Sequence, residues 1–237
     1  MKKFVPPFLA AAICLWAADF WQAKPFTDWS DKEAQKMETN SPWSKQIAVS
    51  TGAVGGPDTG RAKRSGGDLD STLGSGGAGQ HGQVQDLSGG ATVASGTVIL
   101  TLSWRTALPV REAVAKTKYG AEAGTSAEAK KMVDEEQKYY GVLVSGLPGG
   151  SGRGGERMRD ALLKNTTLSV KGKDPIAVSD VQSGGNEQKP VVLFLFPRTA
   201  PISVDDKEVE FSTRFGSMIV RQKFHLKDMV FNGKLEL

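Results

Sequence analysis

Gly150-Ser151-Gly152-Arg153-Gly154-Gly155 has the spacing G-x-G-x-x-G, and an apolar run precedes it. A short helical pattern follows, and Asp174 lies roughly 20 residues further on, where a dinucleotide fold keeps an acid for the ribose. In such a fold the glycines let the backbone approach a pyrophosphate. Three features argue against that chemistry here. Pro148-Gly149 separates the glycines from the strand, and the downstream chain has the pattern of antiparallel hairpins. The spacing also recurs at Gly74-Ser75-Gly76-Gly77-Ala78-Gly79, a cheap match in a chain with 28 glycines. The expectation is a surface loop.

The remaining chemistry-bearing residues are sparse. No glycine-rich run ends in Gly-Lys-Ser or Gly-Lys-Thr, so there is no phosphate-cradling P-loop. The two histidines are His81 and His225, neither with a second histidine at metal-ligand spacing. No nucleophile elbow accompanies them. Asp68 and Asp70 begin like a calcium loop, but Leu73 stands at the glycine position and Gly79 at the closing glutamate position. Asp134-Glu135-Glu136 are neighbours on an expected helix, where adjacent residues diverge by about 100° and cannot converge on one sugar. Asp205-Asp206 is expected as a hairpin turn. The sequence therefore offers no catalytic, cofactor or metal set.

Trp29 and Trp43 are the candidate partner-binding residues. They bracket a short capped helix, and aromatics beside charge anchor protein partners or stack on sugars. The competing reading, which large aromatics favour, is that both dock this helix onto a core.

The first eighteen residues set the compartment. Met1-Lys2-Lys3, the apolar run Phe4 to Trp16 and small Ala17-Ala18 before Asp19 form an export signal. Expected localisation is periplasmic or extracellular, with the run as a membrane anchor if uncleaved. The only cysteine, Cys14, lies in that signal, so the mature chain has no disulfide, thiol nucleophile or cysteine ligand. The formal net charge is +4, and Lys2 and Lys3 supply two of the positive charges. So small an excess gives no reason to expect nucleic acid, or a membrane other than through the signal.

The elements group into four stretches: signal 1–18, N-terminal segment 19–50, Gly-rich tract 51–96 and a domain over 97–237. Ser30-Asp31-Lys32-Glu33 is a capping box, predicting a helix over Asp31 to Thr39 that stops at Asn40-Ser41-Pro42. From Gly52 to Gly96, fourteen of 45 residues are glycine and none is aromatic, which predicts a disordered linker. Its cluster Arg61-Ala62-Lys63-Arg64 is expected to be solvated. Thr97 to Trp104 predicts a strand, Val110 to Tyr119 a helix stopped by Gly120, and Thr125-Ser126-Ala127-Glu128 a second capping box opening a helix to Gln137. Lys131–Glu135 and Asp134–Lys138 would pair along that helix. Tyr139 to Leu147 predicts a strand and Glu156 to Lys164 a helix.

Leu168 to Lys171, Ile176 to Val181, a fully covered central strand Val191 to Phe196, Lys207 to Thr213 and Met218 to Leu226 predict further strands. Phe215-Gly216 predicts a turn, and Asn232-Gly233 a hairpin. The fold class is α+β, with an antiparallel sheet formed mainly by the C-terminal half and a few short helices; the alternative is a β-sandwich with helical insertions.

Lys24-Pro25-Phe26-Thr27-Asp28-Trp29-Ser30-Asp31-Lys32-Glu33 and Ser41-Pro42-Trp43 resemble an uncharacterised group of exported acidobacterial proteins. The likeness continues through Trp104-Arg105 to Ala107-Leu108-Pro109-Val110-Arg111, Tyr119-Gly120-Ala121-Glu122, Val144-Ser145-Gly146-Leu147-Pro148, Val204 to Glu210 and Leu226-Lys227-Asp228-Met229-Val230. Some of the group carry a label for a Gly-Trp-x-Thr-Asp domain; Thr27-Asp28 stand here without that Gly-Trp. The resemblance implies export and this layout, and brings no activity.

The expectation is a non-enzymatic binding or structural protein of the cell envelope, with an envelope protein or glycan as partner. The alternative is a hydrolase of sugars or peptidoglycan using two carboxylates roughly 5–10 Å apart in a cleft.

Overall fold

The structure is a computed structural model that describes residues 19–50, 96–149 and 155–237. The signal with Cys14, the Gly-rich tract with His81, Asp68, Asp70 and Arg61 to Arg64, and most of the Gly150 to Gly155 loop lie outside the described residues.

The chain opens with α1 (Phe20–Ala23) and α2 (Asp31–Thr39), then β1 (Ser44–Ser50) and β2 (Thr97–Trp104). Helices α3 (Leu108–Tyr119) and α4 (Ala127–Asp134) precede β3 (Tyr139–Ser145) and α5 (Gly155–Asn165). Eight short to medium strands follow: β4 (Thr167–Val170), β5 (Ile176–Ala177), β6 (Asp180–Gly185), β7 (Pro190–Pro197), β8 (Glu208–Phe215), β9 (Met218–His225), β10 (Val230–Phe231) and β11 (Lys234–Leu235). All strand pairs are antiparallel, in a five-stranded sheet β1-β2-β3-β7-β6, a four-stranded sheet β5-β4-β8-β9 and the small β10-β11 hairpin. The class is α+β.

The core forms where the two larger sheets meet. Phe194 of the first sheet touches Phe211 and Phe215 of the second at ring-centroid distances of 5.4 and 6.0 Å, and Trp104 touches Phe224 at 5.7 Å, all edge to face. Edge-to-face geometry suits the aromatic quadrupole and adds about 0.5–1.5 kcal/mol per pair beyond area burial. Alternation decides which side chains enter: Val209, Phe211 and Phe215 of β8 and Met218, Val220 and Phe224 of β9 are buried, while Ile219, Arg221, Lys223 and His225 face water.

Several elements follow the expected local rules. In α2 the Ser30 hydroxyl accepts from the Glu33 amide and the Glu33 carboxylate accepts from the Ser30 amide, so the capping box forms. Pro109 sits in the first turn of α3, and Gly120, at φ +56°, ends it. Asn232 and Gly233 have φ +49° and +76°, as a tight primed turn between β10 and β11 requires.

Other expectations are corrected. Segment 19–50 carries a strand unrecognised in the sequence: β1 pairs with β2 from Ser44↔Ser103 to Ser50↔Thr97. Ser50 and Thr97, the described residues that flank the tract, therefore stand paired in neighbouring strands of one sheet. The second capping residue is Ser126, not Thr125, and α4 ends at Asp134. Its last carbonyls are taken by Arg111, which donates to Met132, Val133 and Glu135; the expected Lys131–Glu135 and Asp134–Lys138 helix pairs do not form. Ile176 to Val181 is two strands, because the chain crosses from the second sheet to the first after Ala177. Val191 to Phe196 is fully covered on one face and partly on the other: its buried and half-buried residues alternate. Asp205-Asp206 is a 3-10 turn carrying the chain between the two sheets, not a hairpin, and Asp206 accepts from Ser203 and Lys173.

Candidate functional site

An open groove of about 500 Å³ lies between α1, the turn after α2 and the turn before β10. Asp19 and Trp21 form one wall, Asn40 and Lys45 a second, Lys227 and Asp228 a third. These walls come from three distant stretches of the chain. Local chemistry explains how they meet. Asn40 caps α2 because Pro42 prevents its continuation. Phe20, Trp21 and Trp43 stack edge to face at 4.9 and 6.0 Å, which fixes α1 against β1. The Gln22 side-chain amide donates to the Val230 carbonyl at 3.0 Å, tying α1 to the C-terminal hairpin.

The polar side chains of Asp19, Asn40, Lys45, Lys227 and Asp228 have no hydrogen-bond or ion-pair partner among the described residues. That distinguishes them from Lys24, Lys173 and Lys223, which sit 2.7–2.9 Å from Glu33, Asp206 and Glu208. The groove thus presents two carboxylates, two ammonium groups and a carboxamide to solvent beside the edge of Trp21, which is only 7% exposed. Such a surface donates and accepts hydrogen bonds along an extended ligand. It lacks the apolar enclosure of a small-molecule pocket.

Trp29 and Trp43 do not reach this groove as free rings. They are 2% and 0% exposed. The Trp29 indole N–H donates to the Lys24 carbonyl at 3.2 Å, and that of Trp43 donates to the Glu236 carbonyl at 2.8 Å. Both are therefore what the docking reading described, aromatic anchors with a satisfied polar handle, and neither offers a face to a partner. His225 is exposed at the end of β9, as expected. Asp134, Glu135 and Glu136 are exposed where α4 ends, and do not converge.

A second, half-buried polar cluster had no signal in the sequence. Glu112 of α3 buries its Oε2 without a hydrogen-bond partner, as Trp104 does its indole nitrogen. Burial pushes the Glu112 carboxyl up to about 7; Arg111 opposes the rise and Glu236 adds to it. Burial likewise pulls the Arg111 guanidinium down, against the pull of Glu236, Glu112, Glu135 and Asp134. The Glu236 carboxylate accepts from the Leu108 amide at 3.3 Å and so caps α3, which has no side-chain cap of its own. Arg198 closes the cluster: it donates to the Tyr139 and Leu237 carbonyls and lies over the Tyr140 ring at 4.3 Å. These contacts clasp the C-terminal residues to α3 and β3. Arg111, Glu112 and Glu236 are half-buried and Arg198 is exposed, so these contacts read as a structural clasp at the edge of the fold.

Among the described residues no three His, Cys, Asp or Glu side chains gather as a metal-holding group, and no helix is long and apolar enough to cross a membrane. No protein-family model, curated protein or solved structure matches the chain.

Proposed function

We propose that the chain is an exported, non-enzymatic binding or structural protein of the cell envelope, and that the groove beside Trp21 engages its partner, an extended protein or glycan segment. The observation that carries this reading is the set of unpartnered side chains at Asn40, Lys45, Lys227 and Asp228 on one open surface. Polar groups of both signs, left without internal partners, gain hydrogen bonds when a polar chain lies across them. The signal-like residues 1–18 and the resemblance to exported acidobacterial proteins support the compartment.

The test is calorimetric titration of the protein with soluble peptidoglycan fragments and with envelope-derived peptides. The reading expects saturable binding that Asn40→Ala/Lys45→Ala/Asp228→Ala removes while the melting temperature stays the same. Unchanged binding in the triple variant would sink the groove as the site.

One observation favours a second reading: Asp19 and Asp228 face the same groove, as the two acids of a glycan hydrolase must. Chromatography of those fragments after incubation separates the readings. A hydrolase releases shorter products, and Asp228→Asn stops release without abolishing binding. A binding protein leaves the fragments intact.

A further inference from the structure

The outward face of the β4-β8-β9 sheet divides into two electrostatic halves. In one half, charges are matched across strands. Lys223 sits opposite Glu210 and bonds Glu208 at 2.7 Å, and Glu208 sits opposite His225. In the other half, toward the β8–β9 turn, no acid is present. Arg221 sits opposite Ser212, which in turn sits opposite Thr167, and Arg214 sits opposite Ile219. Cross-strand neighbours on one face stand about 5 Å apart at Cβ and diagonal ones about 7–8 Å, so the two guanidiniums flank one patch. Neither arginine has an ion-pair or hydrogen-bond partner among the described residues, and both are exposed.

The side chain between them is apolar. Ile219 is 51% exposed, more than Ile99, Tyr139 or Val204, the other large apolar residues on the surface. Gly216 and Ser217 make the adjacent turn. Two free guanidiniums with an aliphatic side chain between them, on a blunt hairpin end, match the layering of a lipid interface. There phosphates lie above and acyl chain below.

We propose that this end of the β8–β9 hairpin docks on an anionic phospholipid surface, with Arg214 and Arg221 on lipid phosphates and Ile219 entering the acyl boundary. Guanidinium suits this role because its planar fork donates two parallel hydrogen bonds to a phosphate. The contact is independent of the groove, which lies against the C-terminal turn and α1.

The experiment is vesicle sedimentation of the mature chain with bilayers of equal parts phosphatidylcholine and phosphatidylglycerol, beside pure phosphatidylcholine. Binding is expected to the anionic vesicles alone and to weaken with added salt. Arg214→Ala/Arg221→Ala should lower partitioning about 30-fold, and Ile219→Ser about fivefold. Ser212→Glu, which places an internal carboxylate opposite Arg221, should lower it while keeping both cations, so that the result does not hang on one variant. Asn40→Ala/Lys45→Ala should leave it unchanged, which separates this surface from the groove. Equal binding to neutral vesicles, no binding to either, or full binding by the arginine variant would each overturn the proposal. So would soluble polyglutamate binding with vesicles failing, which would make the patch a site for acidic protein.

Discussion

Glu33 and Glu112 lie near the start of two neighbouring helices, and their surroundings push them in opposite directions. Glu33 is solvated and well supplied with donors: Lys24, the Ser30 amide and the Ser30 hydroxyl hold its carboxyl at about 2. Glu112 is half-buried, has one buried oxygen without a partner, and is held at about 7. Helix position therefore does not decide a carboxylate's chemistry; the number of donors that reach it and the water that remains do. The first glutamate is a local device, completed by Lys24 and Ser30 within nine residues of sequence. The second depends on α4 and the C-terminal tail folding over it.

The contrast has a pH signature. For Glu33 the folded value lies below the ordinary 4.5, so its stabilisation is present above 4.5 and lost as pH falls toward 2. For Glu112 the folded value lies above 4.5, so its contribution is complete below 4.5 and lost as pH rises through about 7. The lowered carboxyls of Asp180, Asp206 and Glu208 act in the same direction as Glu33. Together these groups are expected to place the stability maximum on the acid side of neutrality, which melting temperature against pH checks.

Four substitutions test the contrast, the largest effect first. Arg111→Ala removes the cation beside Glu112 and the donor to three carbonyls at the end of α4. Denaturant unfolding at pH 8 should show a loss on the order of 3 kcal/mol, smaller at pH 5, where Glu112 is neutral. Equal losses at both pH values would mean that the two side chains are not coupled.

Glu112→Gln removes the ionisation and keeps the shape. It should raise stability at pH 8 by about 2–3 kcal/mol, change little at pH 5, and flatten the melting temperature between pH 4.5 and 7. A variant that stays as pH-dependent as the parent would assign the slope to another group.

Ser30→Ala takes the hydroxyl from the α2 cap and should cost about 1 kcal/mol at pH 7. Hydrogen exchange should report the loss in the first turn of α2 rather than in β1. Last, Glu33→Gln should lower the neutral melting temperature slightly, leave it unchanged at pH 2, and so shallow the acid limb between pH 4.5 and 2. A steep limb that survives would show that the remaining lowered carboxyls carry it.

Legibility in the sequence followed the range of the interaction. The α2 capping box, the Gly120 stop and the Asn232-Gly233 turn are set by contacts within about five residues, and each took the form its local pattern required. Strand β1 was hidden because Ser44 to Ser50 is short and weakly apolar, and β2 supplies its pairing across the whole Gly-rich tract. The α4 end was misplaced because Arg111, sixteen residues before that helix begins, terminates it by taking its carbonyls. Trp29 and Trp43 were visible as anchors, but only packing shows that their faces are used internally. The groove joins residues near 20, 40 and 228, so no spacing rule could have revealed it.

The sequence by itself determined the α+β class, the alternation that puts Phe211 and Phe224 inward, and most helix ends, because these depend on local backbone geometry and periodic burial. Tertiary structure alone decided that segment 19–50 belongs to the main sheet, that Glu112 is half-buried beside Arg111 and Glu236, and that Arg214 and Arg221 have no partner among the described residues. The physical reason is that solvation and charge pairing depend on what else the fold brings near a side chain. That is a property of the packed molecule and not of any stretch of its chain.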